Sequence, residues 1–135
     1  MDNKELIHIA LEAREQAYVP YSKYMVGAAL LTKEGKVYKG CNIENAAYTP
    51  TNCAERTAFF KAVSEGERNF EAIAVVGGYK GAPVDYAYPC GVCRQVMMEF
   101  CNPKSFRIIT AISEEEYLEK TLEEILPHGF GPENL

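Results

Sequence analysis

The chain is 135 residues long, 47 % of them hydrophobic, with 14 Lys and Arg against 19 Asp and Glu. That length fits a single globular domain, and the net charge of −5 argues against gripping a nucleic-acid backbone, which takes clustered cations. No apolar run is long enough to span a bilayer, and Asp2, Glu5, Glu12 and Glu15 are foreign to a signal peptide, so the cytoplasm is the expected compartment and a small neutral molecule the expected substrate.

Residues 3–18 read as a helix. Leu6, Ile9, Ala10, Ala13 and Ala17 recur at helical spacing, Glu5, Glu12, Arg14 and Glu15 take the other side, and Pro20 stops it. His8 is expected as a partly exposed helix residue. From Tyr24 to Val37 the pattern is extended, with Val26, Ala28, Leu30 and Thr32 alternating with Gly27, Ala29 and Leu31. Lys33-Glu34-Gly35-Lys36 makes a hairpin turn, and residues 36–41 return as a second strand. Gly27 marks either a bulge or a close approach of another backbone. Asn42 to Asn45 bring polar groups to the point where the chain leaves the sheet. Turn formation explains them, but a carboxylate and an amide also suit hydroxyl recognition.

A helix over Cys53–Ser64, capped by Thr51 or Asn52, sets Cys53 and Glu55 in its first turn. Glu71 to Val76 is a buried strand that ends in Gly77-Gly78, and a loop runs from Tyr79 to Tyr88. Pro89-Cys90-Gly91-Val92-Cys93 then opens a helix through Phe100, with Met97 and Met98 as core filling. Phe106 to Ala111 is a further strand, and Ser113-Glu114-Glu115-Glu116 favours a capped helix through Leu126. Strands alternating with helices imply an α/β domain, a mixed sheet with helices on both faces.

Cys53, Cys90 and Cys93 supply three thiolates, the number a catalytic zinc uses when water takes the fourth position. An odd count of five cysteines suits metal ligation in a reducing compartment better than a disulfide framework. Both ligand groups fall at helix N-termini, which favour thiolates. Glu55 stays off the metal to handle protons. Three thiolates leave the ion with net negative charge, which opposes acidifying a bound water; Arg56 and Arg94, beside the ligands, would offset it by bonding the sulfurs. Cys41 and Cys101 are expected as buried small hydrophobes. A structural zinc module, the competing reading, requires one of them as a fourth ligand.

Cys-x-Glu followed by Pro-Cys-x-x-Cys is a known signature of zinc deaminases. Cys53-Ala54-Glu55-Arg56 and Pro89-Cys90-Gly91-Val92-Cys93-Arg94-Gln95 resemble cytidine deaminase of the short, homotetrameric, all-cysteine class. Pro20-Tyr21-Ser22, Val26-Gly27-Ala28-Ala29, Gly40 to Ala46, and Leu126-Pro127 to Glu133 follow in the family's order, so the resemblance spans nearly the whole chain. It implies a three-layer α/β/α cytidine deaminase-like domain over residues 1–135, with a mixed central sheet and a short strand and helical turn within 113–126. It also implies one zinc ion per subunit, conversion of cytidine and 2′-deoxycytidine to uridine and 2′-deoxyuridine, and a place in pyrimidine salvage. Asn42 and Glu44 would hold the ribose hydroxyls, and the backbone around Ala54 the pyrimidine edge. Tyr24 stands where the family usually has Phe against the nucleoside, and Met25 replaces a frequent Pro. Tyr48 and Phe130 match residues that reach a neighbouring subunit's site, while His128 has no role. A nucleic-acid editor would need a basic groove; a deaminase of another aminopyrimidine, of the blasticidin type, is the nearest alternative.

Overall fold

The computed structural model describes residues 1–135. Asp2 starts the first helix, α1 (Asn3–Arg14), by reciprocal bonds: its side chain accepts from the Glu5 N–H, and the Glu5 carboxylate accepts from the Asp2 N–H. Two donors that a helix start leaves orphaned are thereby satisfied. α1 is shorter than the expected 3–18, because the chain beyond it is drawn into ladder-like pairing: Tyr18 N–H donates to Asn42 O and Glu44 N–H to Tyr18 O. Ile7 rather than Ile9 is fully buried.

Five strands follow, β1 (Tyr24–Thr32), β2 (Val37–Cys41), β3 (Phe70–Tyr79), β4 (Arg107–Ala111) and β5 (Tyr117–Thr121). They lie in the order β2-β1-β3-β4-β5, with β3 and β4 parallel and the other pairs antiparallel. α1 covers one face, packing Leu6, Ile7 and Ala10 on Ala29, Leu31, Ala74 and Ile109. The other face carries α2 (Ala54–Ser64) and α3 (Gly91–Phe100), whose Phe59 and Met97 pack with Phe106 on Ala28, Leu30, Ile73 and Val75. The result is a three-layer α/β/α architecture around a mixed sheet. Because both faces of β1 and β3 are covered, both strands are buried along most of their length, a pattern that alternation alone does not produce.

Three readings taken from residue pattern alone change. Arg14, placed on the solvent side by helical spacing, is buried, donating from Nε to Met25 O (3.1 Å) and from Nη2 to Gly78 O (2.9 Å). Buried carbonyls at the site-facing ends of β1 and β3 need donors, and the long Arg14 side chain reaches both. β3 continues through Gly77 and Gly78 to Tyr79 instead of ending there, since Gly77, Gly78 and Tyr79 pair with Val26, Met25 and Tyr24 of β1. Finally, 113–126 is the short strand and helical turn that the resemblance implies, not the one helix that pattern alone favours. β5 pairs with the edge of β4, and α4 (Leu122–Ile125) starts at a capping box between Thr121 and Glu124.

Two glycines set how closely the helices approach. A Cβ at Gly27 would lie 2.2 Å from Ala10 O and 2.4 Å from Arg14 N, so Gly27 admits α1. At Gly40 it would lie 2.3 Å from Ala54 O and 2.6 Å from Ala58 N, in the first turns of α2. Gly40→Ala must push α2 off the sheet, and backbone cannot yield as a flexible side chain can. We expect it to cost about 1–3 kcal/mol in urea unfolding at unchanged m, with a fall in activity because α2 carries Cys53 and Glu55.

Candidate active site

α2 and α3 each begin at a cysteine. Cys53 is the N-cap of α2, displacing Asn52 and Thr51 from that role, and Cys90 is the N-cap of α3; neither sulfur accepts a capping bond from a backbone N–H of its helix. Both are therefore free to face outward beside unpaired helix N–H groups. Cys93, in the first turn of α3, is buried under them. The three Sγ atoms lie within 4.8 Å of one another, with Cys53 and Cys90 3.8 Å apart. Thiolates bound tetrahedrally at about 2.3 Å would be separated by about 3.8 Å, so the donor set fits zinc. Cys41 and Cys101 stand outside the cluster, and Glu55 is not part of it.

The cluster holds negative charge readily. The hydrogen bond with Cys93, helped by Arg56 and Cys90, pulls the Cys53 thiol down against the cost of burial. Cys93, which keeps the shared proton, is correspondingly pushed up. Arg56 Nη2 donates to Cys53 Sγ at 3.3 Å. Burial works against the Arg56 charge, but its bonds to Cys53 and Cys93 outweigh that and hold the guanidinium charged.

Arg94 bonds backbone carbonyls and no sulfur. Its Nε donates to Pro89 O (2.7 Å) and its Nη1 to Ile125 O (2.5 Å), tying the entry to α3 to the end of α4. Arg56, three residues after Cys53, shares that sulfur's side of α2. Arg94 instead satisfies carbonyls that a loop and a helix end leave open.

Glu55 is 4 % exposed, and burial pushes its carboxyl up to about 7. It lines a hollow of about 560 Å³ together with Cys53, Ala54 and Cys90 at one end and Asn42, Glu44, Ser22 and Tyr24 at the other. A buried acid that changes protonation near neutrality, beside a three-sulfur cluster, can take a proton from water and return it to a leaving group. A larger hollow of about 760 Å³ near Pro103 and Leu126–Gly129 contains no such combination.

At the far end, Asn42 and Glu44 are held by the chain around β1. Asn42 Oδ1 accepts from Val26 N–H (2.9 Å) and its Nδ2 donates to Tyr24 O (2.8 Å). Glu44 Oε1 accepts from Tyr21 and Ser22 N–H groups, and its Oε2 from the Ser22 hydroxyl. Tyr24 packs edge-on against Tyr79, with ring centroids 5.0 Å apart, and burial raises its hydroxyl pKa. Tyr48 and Phe130 are not in the hollow; they are 76 % and 58 % exposed. His8, exposed, pairs with Glu114, and His128 is exposed too. Sequence reading missed the walls given by Val26 and by Tyr86, Ala87 and Tyr88. Those three sit in a loop without periodicity, and only their nearness to Cys90 in sequence could have drawn attention.

The description "cytidine and deoxycytidylate deaminase zinc-binding region" matches residues 1–109. A cytidine deaminase of Sporosarcina psychrophila is 55 % identical over 135 residues, covering 100 % of this chain and 96 % of the relative. One of Halalkalibacterium halodurans is 53 % identical, covering 100 % and 98 %. The 1.6 Å crystal structure of cytidine deaminase from Burkholderia pseudomallei superposes with a TM-score of 0.87 at 45 % identity, covering 96 % of this chain and 100 % of that one. A family whose zinc-binding region takes in Cys53, Glu55, Cys90 and Cys93 accounts for the geometry of the cluster, and the chain belongs to the cytidine and deoxycytidylate deaminases.

Proposed function

We propose that the chain hydrolytically deaminates cytidine and 2′-deoxycytidine, giving uridine and 2′-deoxyuridine plus ammonia, as a single domain over residues 1–135 acting in pyrimidine salvage. The observation that carries this is the buried Glu55 carboxyl opening on the same hollow as the cysteine cluster. Cys53, Cys90 and Cys93 would hold zinc, which when bound supplies Lewis acidity and a water of lowered pKa. Glu55 takes a proton from the attacking water and gives it to ring N3 while oxygen bonds to C4. It then moves the second proton from that oxygen to the amino group, the C4–N bond breaks, ammonia leaves, and Glu55 is regenerated. Water enters and ammonia departs, so no oxidant or reductant is involved. The Arg56 guanidinium draws charge from the Cys53 sulfur. Ala54, fully buried at the start of α2, presents backbone to the pyrimidine edge, and Asn42 and Glu44 take the sugar hydroxyls.

Ultraviolet-monitored conversion of cytidine by the zinc-loaded protein tests the reading. Turnover that is lost on chelation and restored by zinc supports it. If a folded, zinc-loaded protein leaves cytidine unchanged and deaminates a blasticidin-type nucleoside, the substrate assignment fails. Asn42 and Glu44 in the lining of the hollow favour an ordinary nucleoside. No helix is long and apolar enough to cross a membrane, and the cytoplasm is the compartment where thiolate ligands persist.

The reading includes a homotetramer with shared sites. Its support is the exposure of Tyr48 and Phe130, two aromatic rings that their own chain leaves unburied. Light scattering should give four times the chain mass of 15.1 kDa. Phe130→Ala should weaken assembly and turnover together; a fully active monomer would refute the shared site.

A further inference from the structure

The Ser22 side chain has no role in the chemistry above, yet it organises the end of the hollow remote from the cysteines. Three donors from one short turn reach the Glu44 carboxylate: the N–H groups of Tyr21 (3.0 Å) and Ser22 (3.1 Å) to Oε1, and the Ser22 hydroxyl to Oε2. The direction of the last bond follows from valence. Ser22 Oγ accepts the Tyr24 N–H at 3.0 Å, and an ionised carboxylate has no hydrogen to give, so the hydroxyl hydrogen points at Oε2. The same bond, ahead of the two backbone bonds, keeps the Glu44 carboxyl below its ordinary range. Between Ser22 and Tyr24 lies Lys23 at φ 62°, a left-handed conformation uncommon for a residue with a side chain. That kink turns Ser22 Oγ back onto the Tyr24 N–H. The chain just beyond it, at Tyr24 and Val26, fixes the Asn42 amide.

The acceptor count is restrictive. Two carboxylate oxygens offer about four acceptor positions. Both on Oε1 are filled by N–H groups and one on Oε2 by Ser22, which leaves a single position at Oε2.

We propose that Ser22 is a positioning residue for nucleoside recognition, its hydroxyl fixing the Glu44 carboxylate so that one acceptor position, on Oε2, remains for a single sugar hydroxyl. This rests on the reading of Glu44 as a sugar contact. Without the Ser22 hydroxyl the carboxylate gains rotational freedom and a competing position for water, and must be re-ordered on binding. The loss therefore falls on KM, and only for substrates that carry the hydroxyl.

The test compares cytidine with 2′,3′-dideoxycytidine, as substrate or competitive inhibitor, on zinc-loaded Ser22→Ala, Ser22→Thr and Glu44→Gln proteins. Ser22→Ala is expected to raise KM for cytidine about tenfold, to shift kcat far less, and to leave the affinity for the dideoxy analogue within about twofold of the unaltered protein. Ser22→Thr, which keeps the hydroxyl, should return most of the lost affinity. Should Ser22→Ala fail to fold, Ser22→Cys, a weaker donor of similar shape, must show the same selective rise in KM. A selective loss in Glu44→Gln with an equal or absent loss across both ligands in the Ser22 variants overturns the role of Ser22 alone. Equal losses on both ligands in Glu44→Gln overturn the sugar-contact reading, and the inference with it.

Discussion

Glu55→Gln is expected to lower kcat on cytidine by about a thousandfold or more, with KM and bound zinc little changed. Proton transfer by one positioned group contributes about 10²–10⁴ in rate, and here one carboxyl serves two transfers in succession. The amide has the shape of the protonated acid but cannot accept a proton from water. It is also neutral, so it suits a site whose burial already raises the carboxyl to about 7. The variant should therefore fold and keep its metal, which separates lost chemistry from lost structure. Glu55→Asp retains the acid but withdraws it by about one methylene, and displacement on the order of 1 Å is enough to cost about a hundredfold. The check is ultraviolet absorbance at saturating cytidine, with zinc quantified in the same samples. Turnover near that of the unaltered protein in Glu55→Gln would remove Glu55 from the reaction.

The three-cysteine cluster was legible because its chemistry is local: a Cys-x-Glu and a Cys-x-x-Cys each open a helix, and the structure sets both starts beside one another. Gly27 was legible only as a choice between bulge and close approach, and contact with the backbone of α1 decides it. The failures share a cause. Arg14, Arg94 and Ser22 are polar side chains whose partners lie far away in sequence: Gly78 O for Arg14, Ile125 O for Arg94 and Glu44 for Ser22. Periodicity sorts charged residues to the outside of a helix and has no means of representing a distant carbonyl that needs a donor. β5, implied by the resemblance, was hidden from pattern alone for a related reason. Most of its side chains face solvent, so it lacks alternation, and only the unpaired edge of β4 makes it a strand.

Cys53→Ala and Cys93→Ala are expected to reduce bound zinc from about one per chain to less than about a tenth of that, and to abolish turnover. Two sulfurs cannot complete a tetrahedral thiolate site, and each alanine removes one of only three candidate ligands within 4.8 Å. The losses should also reach the fold, since metal binding adds to folding free energy when the unfolded chain lacks the site. With zinc absent, the Cys90 thiol and the remaining sulfur have no cation to bring the starts of α2 and α3 together, and the melting temperature should fall. Cys101→Ala and Cys41→Ala provide the contrast. Burial pushes the Cys101 thiol up, away from the thiolate a metal needs, and neither sulfur lies in the cluster. Both variants should keep full zinc and turnover, with Cys101→Ala losing only packing stability. The same experiment separates an enzyme from a structural zinc module. In a saturated four-sulfur site, Cys41 or Cys101 would have to be a ligand, and replacing it would release the metal. Metal analysis of the four variants, before and after chelation and zinc readdition, decides between a site with three protein ligands and one with four. Three ligands leave a coordination position open beside Glu55, which is the requirement for activating water there.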